Sequence, residues 1–251
     1  MKDNFSAHSE QYALFRPHYP REILEYIFSQ NDRHELAWDC GTGNGQVARV
    51  LADNFKQVIA TDISAQQLKN AIQKPNVDYR LESAEETSIS KSSVDLITVG
   101  QAIHWFNFDR FYIEVNRTLK PEGIIAVFGY PLPNIDSEIN EVVKYFYSVT
   151  LENYWDPERR FVDERYQTIP FPFVEIESKK FTMDYPWTLD EFSGFLSTWS
   201  AVRHYIRKHG DNPVDDVRKA LCRIWIEKEK KNVSFELMLR MGRKTNNLSG
   251  P

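Results

Sequence analysis

The chain has 251 residues, a length that fits one α/β domain or two small ones. Lysine and arginine together number 31 against 36 aspartates and glutamates, so the formal net charge at neutral pH is −5. This acidic balance argues against a protein that coats nucleic acid or an anionic membrane, because phosphate binding needs a surplus of cations. No run of residues approaches the roughly 18 apolar positions that a membrane-spanning helix requires.

The cysteines and the first residues indicate the compartment. Cys40 and Cys222 are too few for a disulfide framework or for a Cys-x-x-Cys metal site. The first six residues contain no apolar core of a signal peptide. We therefore expect a cytoplasmic protein that holds no metal.

The N-terminal part is rich in aromatic residues and is broken by Pro17 and Pro20. It predicts a short helix, a turn, and then a helix through Ile23, Leu24 and Ile27, which have helical spacing.

From Leu36 onward, short apolar runs alternate with amphipathic stretches. Continuous apolar runs are typical of parallel strands that are covered on both faces, and the stretches between them fit crossover helices. The predicted strands are 36–38, 58–60, 77–81, 94–99 and 124–128, and the predicted helices are 47–55, 68–72 and 108–119. The pattern predicts a doubly wound α/β sheet with helices on both faces.

The regular alternation ends after Tyr130. Residues 139–154, 189–206 and 214–225 predict three more helices, while 173–183 and 233–241 alternate like antiparallel strands. Two strands alone cannot bury a core, so we expect them to complete the same sheet rather than to form a second domain. The expected fold is a seven-stranded, mostly parallel sheet in which the last strand is antiparallel.

Glycine is scarce, at 10 of 251 residues, yet Gly41, Gly43 and Gly45 fall within five positions. They follow the first predicted strand, at the edge of the sheet where doubly wound folds bind ligands. Glycine permits positive φ and lets a ligand approach the backbone closely. The triplet therefore predicts a ligand-binding loop, and the alternative is a tight turn without a ligand.

Two aspartates accompany this loop, one just before it and one at the end of the next predicted strand. Asp62 ends the second predicted strand, where a carboxylate can accept both hydroxyls of a ribose; its alternative role is to stabilise the start of the next helix through the dipole. Asp39 precedes the loop and would repel a pyrophosphate but suits a cationic ligand. The spacing G-x-G-x-G also differs from the dinucleotide pattern G-x-G-x-x-G. S-adenosylmethionine fits, since it offers a ribose and an ammonium and has no phosphate.

On these residues the sequence resembles the class I S-adenosylmethionine-dependent methyltransferases, and within them the type 11 small-molecule group that includes trans-aconitate methyltransferases. The resemblance covers about residues 5–130. A departure is Glu122-Gly123, where the family usually has two glycines, and it affects only a turn. The resemblance is carried by Asp39-x-Gly41-x-Gly43-x-Gly45, Asp62, Ser83-Ala84-Glu85, Val94-Asp95-Leu96-Ile97, His104-Trp105-Phe106 and Leu119-Lys120-Pro121-Glu122-Gly123.

The resemblance implies a cofactor site built from residues that follow successive strands. Ala84 and Glu85 would contact adenine, and Gln101 and Ala102 would line the methionine arm. Arg16, together with Tyr12, resembles an N-terminal lid, where an arginine can pair with the methionine carboxylate; the alternative for Arg16 is an ordinary surface arginine. The implied cofactor-binding residues are Tyr12, Arg16, Asp39, Gly41, Gly43, Asp62, Ile63, Ala84, Glu85, Gln101 and Ala102.

The candidate catalytic residue is His104, which follows the fourth predicted strand. Methyl transfer is an in-line displacement, so an enzyme mainly has to align the acceptor and exclude water. His104 could act as a general base, hydrogen-bond a carboxylate acceptor, or pack under the lid. Trp105 is more typical of a pocket wall. The segment lacks the Asn/Asp-Pro-Pro-aromatic signature of amino methylation on nucleic-acid bases.

The late helical stretch is the candidate acceptor side, because it mixes aromatic, hydroxyl and cationic residues. The expected substrate-binding residues are Trp105, Trp199, Arg203 and His204, and the alternative is an amphipathic helix with a solvated basic face.

The resemblance thus implies one methyltransferase domain over 1–243. It comprises lid helices in 1–30, a cofactor-binding core in 35–130, and acceptor-side helices with two strands in 131–243; residues 244–251 are predicted to be disordered. We expect methyl transfer to a small molecule, with a carboxylate as the candidate acceptor group. The partners expected are this small molecule and neither nucleic acid nor membrane, and the chain is expected to be a monomer or a weak homodimer.

Two other functions stay open. A nicotinamide-dependent oxidoreductase is disfavoured by the glycine spacing and by Asp39. A non-catalytic protein that binds S-adenosylmethionine on the same fold is disfavoured by the intact cofactor motif.

Overall fold

A computed structural model describes residues 15–245 of the chain. Tyr12 and the other residues of the predicted N-terminal lid before residue 15 lie outside the described residues. The strands are β1 Leu36–Cys40, β2 Gln57–Asp62, β3 Val77–Leu81, β4 Val94–Gly100, β5 Leu119–Gly129, β6 Val174–Ile176, β7 Thr182–Trp187, β8 Lys231–Glu236 and β9 Met238–Arg243.

The helices follow or join these strands. They are α1 Arg21–Phe28, α2 Gln46–Leu51, α3 Ala65–Lys69, α4 Phe108–Thr118, α5 Ser137–Tyr145, α6 Arg160–Asp163, α7 Leu189–Ser197, α8 Ser200–His209 and α9 Val214–Leu221. Short 3-10 turns lie at Ile103–Trp105, Glu152–Tyr154 and Pro157–Arg159, and a π-helical turn lies at Phe146–Thr150.

A seven-stranded sheet forms the centre, in the order β3-β2-β1-β4-β5-β9-β6. Strands β1 to β5 are parallel, and β9 runs antiparallel between β5 and β6. The predicted fold class is therefore confirmed. The chain leaves β1 toward β2 on one side, and β4 adds on the other side, so the order reverses between β1 and β4. Such a switch point leaves a crevice at the carboxyl ends of the two strands.

The sheet is buried on both faces, as its continuous apolar strands predicted. In β5, Ile124, Ala126 and Phe128 face one hydrophobic cluster, and Ile125 and Val127 face the other. This is the alternation that a pleated strand imposes. Helices α1, α2, α5 and α7 to α9 pack on the first face and α4 on the second.

Each of the two predicted late stretches contributes one strand, β6 or β9, to the main sheet as expected, but each also contains part of a second strand that was not predicted. Stretch 173–183 contains β6 and the start of β7, and stretch 233–241 contains parts of β8 and β9. Strands β7 and β8 pair with each other in a separate two-stranded sheet. The chain changes partners at Leu237, whose N–H donates to the carbonyl of Phe181. The alternation of apolar residues continues through this change, so the sequence pattern does not reveal it.

The late helices are shorter than predicted. Stretch 189–206 is two helices, because Trp199 is extended (φ −68°, ψ 138°) and separates α7 from α8. Helix α9 ends at Leu221, before the buried Trp225. Stretch 139–154 is α only as far as Tyr145 and continues through π and 3-10 turns.

Two boundaries differ from the prediction for physical reasons. Strand β5 already begins at Leu119, because the following Lys-Pro-Glu-Gly segment forms an irregularity within it, between the pairs Val94–Leu119 and Leu96–Ile124. Lys244, the first residue of the predicted disordered tail, is anchored by its Nζ, which donates to two carbonyls beside β5. Residues 246–251 lie outside the described residues.

Among residues 15–245, no helix is both long and apolar enough to cross a membrane.

Candidate functional site

The glycine loop connects β1 to α2 at the switch point of the sheet. Gly41, Gly43 and Gly45 all have positive φ, at 69°, 55° and 80°. A Cβ on Gly41 would lie 2.7 Å from the Cβ of Ala102, and one on Gly45 would collide with the hydroxyl of Tyr79. No atom of the described residues lies within 4 Å of the Cβ position of Gly43. Packing therefore requires two of the glycines, and at Gly43 the backbone stays accessible to a ligand.

Asp62 ties this loop to the end of β2. Its Oδ2 accepts the N–H of Gly43 at 2.9 Å, and its Oδ1 accepts the N–H of Ser64 at 2.8 Å, just before α3. The structure thus contains the helix-start role that was considered for Asp62, and it places the carboxylate at the end of β2 beside the glycine loop.

Asp39 is turned into the protein and is 1% exposed. Its Oδ2 accepts the hydroxyl of Thr42 at 2.5 Å and the N–H of Ala48 at 3.1 Å, and its Oδ1 accepts the hydroxyl of Thr98 at 2.8 Å. Burial raises the pKa of Asp39 to about 6, although these hydrogen bonds lower it. The carboxylate mainly fixes the loop, and a single acceptor position on Oδ1 is left for a cation.

Thr42 and Thr98 were missed in the sequence. A signal for Thr98 was present, since it is a hydroxyl within the otherwise apolar stretch 96–99 of β4, and buried polar groups are normally hydrogen-bonded.

A cleft opens over the loop. Arg16, Tyr19, Gln101 and Tyr130 line it opposite the glycines. Gln101 has a positive φ of 52°, and its side-chain amide forms two hydrogen bonds with the backbone of Tyr130, at 3.1 and 2.8 Å. The side chain is therefore held rigidly at the wall of the cleft.

The predicted cofactor residues divide into two groups. The cleft is lined by Arg16, Asp39, Gly41, Gly43 and Gln101. The others follow the ends of β2, β3 and β4 at the same edge of the sheet but do not line the cleft: Asp62, Ile63, Ala84, Glu85 and Ala102.

Glu85 is linked to the helix behind the site. Its Oε1 accepts the N–H of Asn107 at 3.0 Å, and Asn107 caps α4. Ala84, beside it, is buried at 2% exposure.

Arg16 spans two parts of the site. Its guanidinium donates to the hydroxyl of Tyr130 at 3.2 Å and to the carbonyl of Thr198 at 3.4 Å, and it lies 5.7 Å from the ring centre of Phe195. It is thus held between the end of β5 and the junction of α7 with α8, so it is not an ordinary surface arginine.

A second pocket adjoins the cleft and shares Arg16 and Gln101 with it. We call it the aromatic pocket. None of the described residues that line it is acidic. Besides the two shared residues, its lining is His104, Trp105, Trp155, Arg159, Trp199 and Ser200.

The structure brings three of the predicted acceptor-side residues together here, namely His104, Trp105 and Trp199. Arg203 and His204 do not line the aromatic pocket. His204 faces a separate surface depression that also contacts Trp155, and its Nδ1 lies 2.9 Å from the carbonyl of Tyr154. The expectation for these two residues rests on their chemical type, which does not indicate the direction of a side chain.

Arg159 and Trp155 are pocket residues that the sequence analysis missed, because they lie in a segment without regular periodicity. Arg159 Nε donates to the hydroxyl of Tyr147 at 2.9 Å and to Asp163 Oδ1 at 3.3 Å. Its guanidinium lies 5.0 Å from the ring centre of Trp155. The terminal nitrogens form no hydrogen bond with residues 15–245. Arg159 is therefore held in place while its outer donors stay available.

His104 is buried in the wall of the aromatic pocket, at 6% exposure. Its Nδ1 lies 3.2 Å from the hydroxyl of Tyr166. Burial, together with the positive charges of Arg159 and Arg16, lowers the pKa of His104 to about 3. At neutral pH the imidazole is uncharged and binds a proton only weakly.

Within the described part of the chain, no group of three or more histidine, cysteine, aspartate or glutamate side chains could hold a metal ion.

Known proteins share this fold and its loop. Residues 38–127 match the family model of a methyltransferase domain. A Dictyostelium discoideum protein named as a methyltransferase is 34% identical over 227 residues, which cover 89% of this chain and 86% of that protein. A Saccharomyces cerevisiae protein named as an S-adenosylmethionine-dependent methyltransferase is 27% identical, with 84% of each chain covered.

A solved structure agrees over almost the whole chain. The structure of a type II methyltransferase from Anaeromyxobacter dehalogenans has a TM-score of 0.83 at 36% identity and covers 91% of this chain and 98% of its own. The chain therefore belongs to the class I S-adenosylmethionine-dependent methyltransferases.

Proposed function

We propose that this methyltransferase methylates a small molecule in the aromatic pocket, and that the acceptor group is an ionised carboxylate. One observation carries the proposal. The pocket that adjoins the cofactor cleft is lined by Arg16 and Arg159, by three tryptophans, and by none of the acidic residues of the described chain. In a protein whose net charge is −5, such a pocket favours an anionic acceptor with an apolar body.

The cleft fits S-adenosylmethionine in its polar groups. Arg16 can pair with the methionine carboxylate, and the acceptor position left on Asp39 suits the ammonium. Asp62 can accept the ribose hydroxyls. The remaining proposed contacts are the backbone of Gly41 and Gly43, the methionine arm at Gln101 and Ala102, Ile63, the adenine contacts at Ala84 and Glu85, and Tyr12 outside the described residues.

When bound, S-adenosylmethionine supplies a methyl group activated by a sulfonium. The task of this chain is then to align the acceptor and to exclude water. Three tryptophans and the buried His104 supply the dry walls, and Arg159 supplies directed donors that can orient a carboxylate.

The chemistry of His104 favours an acceptor that needs no base. An alcohol or a phenol must lose a proton during methylation, and a histidine with a pKa of about 3 is a poor acceptor for that proton. A carboxylate is already ionised at neutral pH. A cationic amine would meet two arginines of like charge. Of the three roles considered for His104, the hydrogen bond to the acceptor is the one that we propose.

The test is a screen of small acids, phenols and amines with labelled S-adenosylmethionine. We expect methylation of acids only. Any methyl transfer excludes a non-catalytic binding protein, and a response of amines alone or phenols alone would overturn the carboxylate acceptor.

Arg159→Gln tests the pocket itself. We expect KM for the responding acid to rise by about tenfold or more, because a hydrogen bond to a charged group contributes about 1.5–3 kcal/mol. The matched control is Arg160→Gln, an exposed neighbour that stacks on Phe161 outside the pocket. Equal KM values in the two variants would contradict the role of Arg159.

A further inference from the structure

Tyr166 contacts His104 behind the aromatic pocket. Both side chains are buried, at 1% and 6% exposure. The hydroxyl of Tyr166 lies 3.2 Å from Nδ1 of His104, and the rings stack with centroids 6.0 Å apart. Nε2 of His104 forms no hydrogen bond with any described residue. With Nδ1 turned toward Tyr166, Nε2 is the ring nitrogen that is left for a group in the pocket.

The backbone around Tyr166 is unusual. Arg165 and Tyr166 are consecutive non-glycine residues with positive φ, at 56° and 61°. Side chains of L-residues seldom adopt this region, and such strain persists only where the surroundings enforce it. Both residues are anchored. Arg165 pairs with Glu236 at 2.8 Å, and Arg240 donates to the carbonyl of Tyr166 at 2.9 Å. Strained residues of this kind cluster at functional sites, and here the turn sets Tyr166 against His104.

The contact between Tyr166 and His104 determines which imidazole nitrogen carries the proton. In a neutral histidine one nitrogen donates and the other accepts, and the bond made by one decides the state of the other. A phenol is more acidic than a neutral imidazole N–H, and an unprotonated imidazole nitrogen is the better acceptor of the two. Donation by the hydroxyl of Tyr166 to Nδ1 is the arrangement that these acidities favour, and it would place the proton of His104 on Nε2.

We propose that Tyr166 is a positioning residue that holds His104 as a neutral Nε2–H donor directed at the methyl acceptor. The identity of the acceptor rests on the proposed function, in which a carboxylate oxygen receives this N–H beside the guanidinium of Arg159. An unprotonated Nε2 would instead present a lone pair to the carboxylate and repel it. The tautomer of His104 thereby contributes to selection of the acceptor.

The experiment is nitrogen NMR of the full chain with ¹⁵N-labelled histidine at pH 7. His104→Gln identifies the signals of His104 among the 6 histidines. We expect protonated Nε2 and unprotonated Nδ1 in the wild type, and a mixed or reversed tautomer in Tyr166→Phe. The matched control is Tyr112→Phe, which removes a buried hydroxyl that has no hydrogen-bond partner within the described residues, and it should leave the tautomer unchanged.

Two results would overturn the inference. One is a proton on Nδ1 in the wild type, a measurement that does not depend on the folding of any variant at Tyr166. The other is a folded Tyr166→Phe variant whose tautomer equals that of the wild type. A merely structural role of Tyr166 would change stability without reversing the tautomer.

Titration with benzoate, and with benzamide as its uncharged counterpart, tests the carboxylate acceptor separately from the role of Tyr166. We expect benzoate but not benzamide to shift the Nε2–H signal, and Tyr166→Phe to weaken benzoate binding about tenfold, as for the loss of one hydrogen bond to a charged group. If neither probe shifts the signal while the tautomer still depends on Tyr166, the carboxylate acceptor is wrong and the role of Tyr166 stands.

Discussion

At the scale of the residue, Asp62 serves two purposes with one carboxylate. It holds the backbone of Gly43 and Ser64, and it lies at the edge of the sheet where we propose the ribose. Asp39 differs, because it is 1% exposed and three internal donors use most of its acceptor positions. The two aspartates look alike in the sequence, yet Asp39 is turned into the protein while Asp62 ends a strand beside the glycine loop.

Asp62→Ala should weaken binding of S-adenosylhomocysteine by about tenfold or more, because it removes hydrogen bonds to a charged group and frees the loop at Gly43. Isothermal titration calorimetry measures the effect. Asp53→Ala is a suitable control, since Asp53 pairs with Lys74 on the surface. Unchanged affinity in Asp62→Ala would show that Asp62 does not bind the ribose.

At the scale of the element, α7 determines where Arg16 lies. The helix begins at a capping box made by Thr188 and Glu191, and it ends beside Thr198, whose carbonyl receives the guanidinium of Arg16. Gly194 lies against Phe15, and a Cβ there would come within 2.5 Å of the phenyl ring. Close packing on α7 thus positions the segment that closes both cavities.

Gly194→Ala should displace Phe15 and Arg16 and lower the affinity for S-adenosylhomocysteine severalfold. Helix stability should not fall, because alanine favours a helix by about 1 kcal/mol over glycine. Thermal unfolding measures the stability of the variant, and calorimetry measures its affinity for S-adenosylhomocysteine. Ser197→Ala, on the same helix, is the control, as its hydroxyl bonds only within α7. Equal affinities in the two variants would argue against this coupling.

At the scale of the whole molecule, the fold buries a histidine that stays uncharged. The pKa of His104 is about 3 in the folded protein, and its ordinary value is near 6.5. Below pH 6.5 His104 binds a proton in the unfolded chain but remains unprotonated in the folded chain. Stability is therefore lost as the pH falls.

His104→Gln should remove this loss of folding stability at low pH. Between pH 7 and pH 5 the wild type should lose about 2 kcal/mol more unfolding free energy than the variant, following ~1.4 kcal/mol per pH unit below the ordinary pKa. Urea unfolding at the two pH values measures the difference. The exposed His209 provides the control variant His209→Gln. An equal loss in wild type and His104→Gln would mean that His104 is protonated in the folded protein.

The sequence by itself determined the parallel half of the sheet, the glycine loop and the family. Apolar runs with helical spacers predict a strand and its burial, and Gly41 to Gly45 predict a special backbone, because both signals are local. For the same reason, the pairing of β7 with β8 escaped prediction. Alternation indicates that a strand has one buried face but does not identify its neighbour.

Only the tertiary structure decided which side chains meet. Arg159 and Trp155 enter the aromatic pocket from an irregular segment, while Arg203 and His204 turn away from it. His104 meets Tyr166 across 62 positions of the chain. A binding pocket is assembled from residues distant in sequence, and the direction of each side chain depends on packing that no local pattern records.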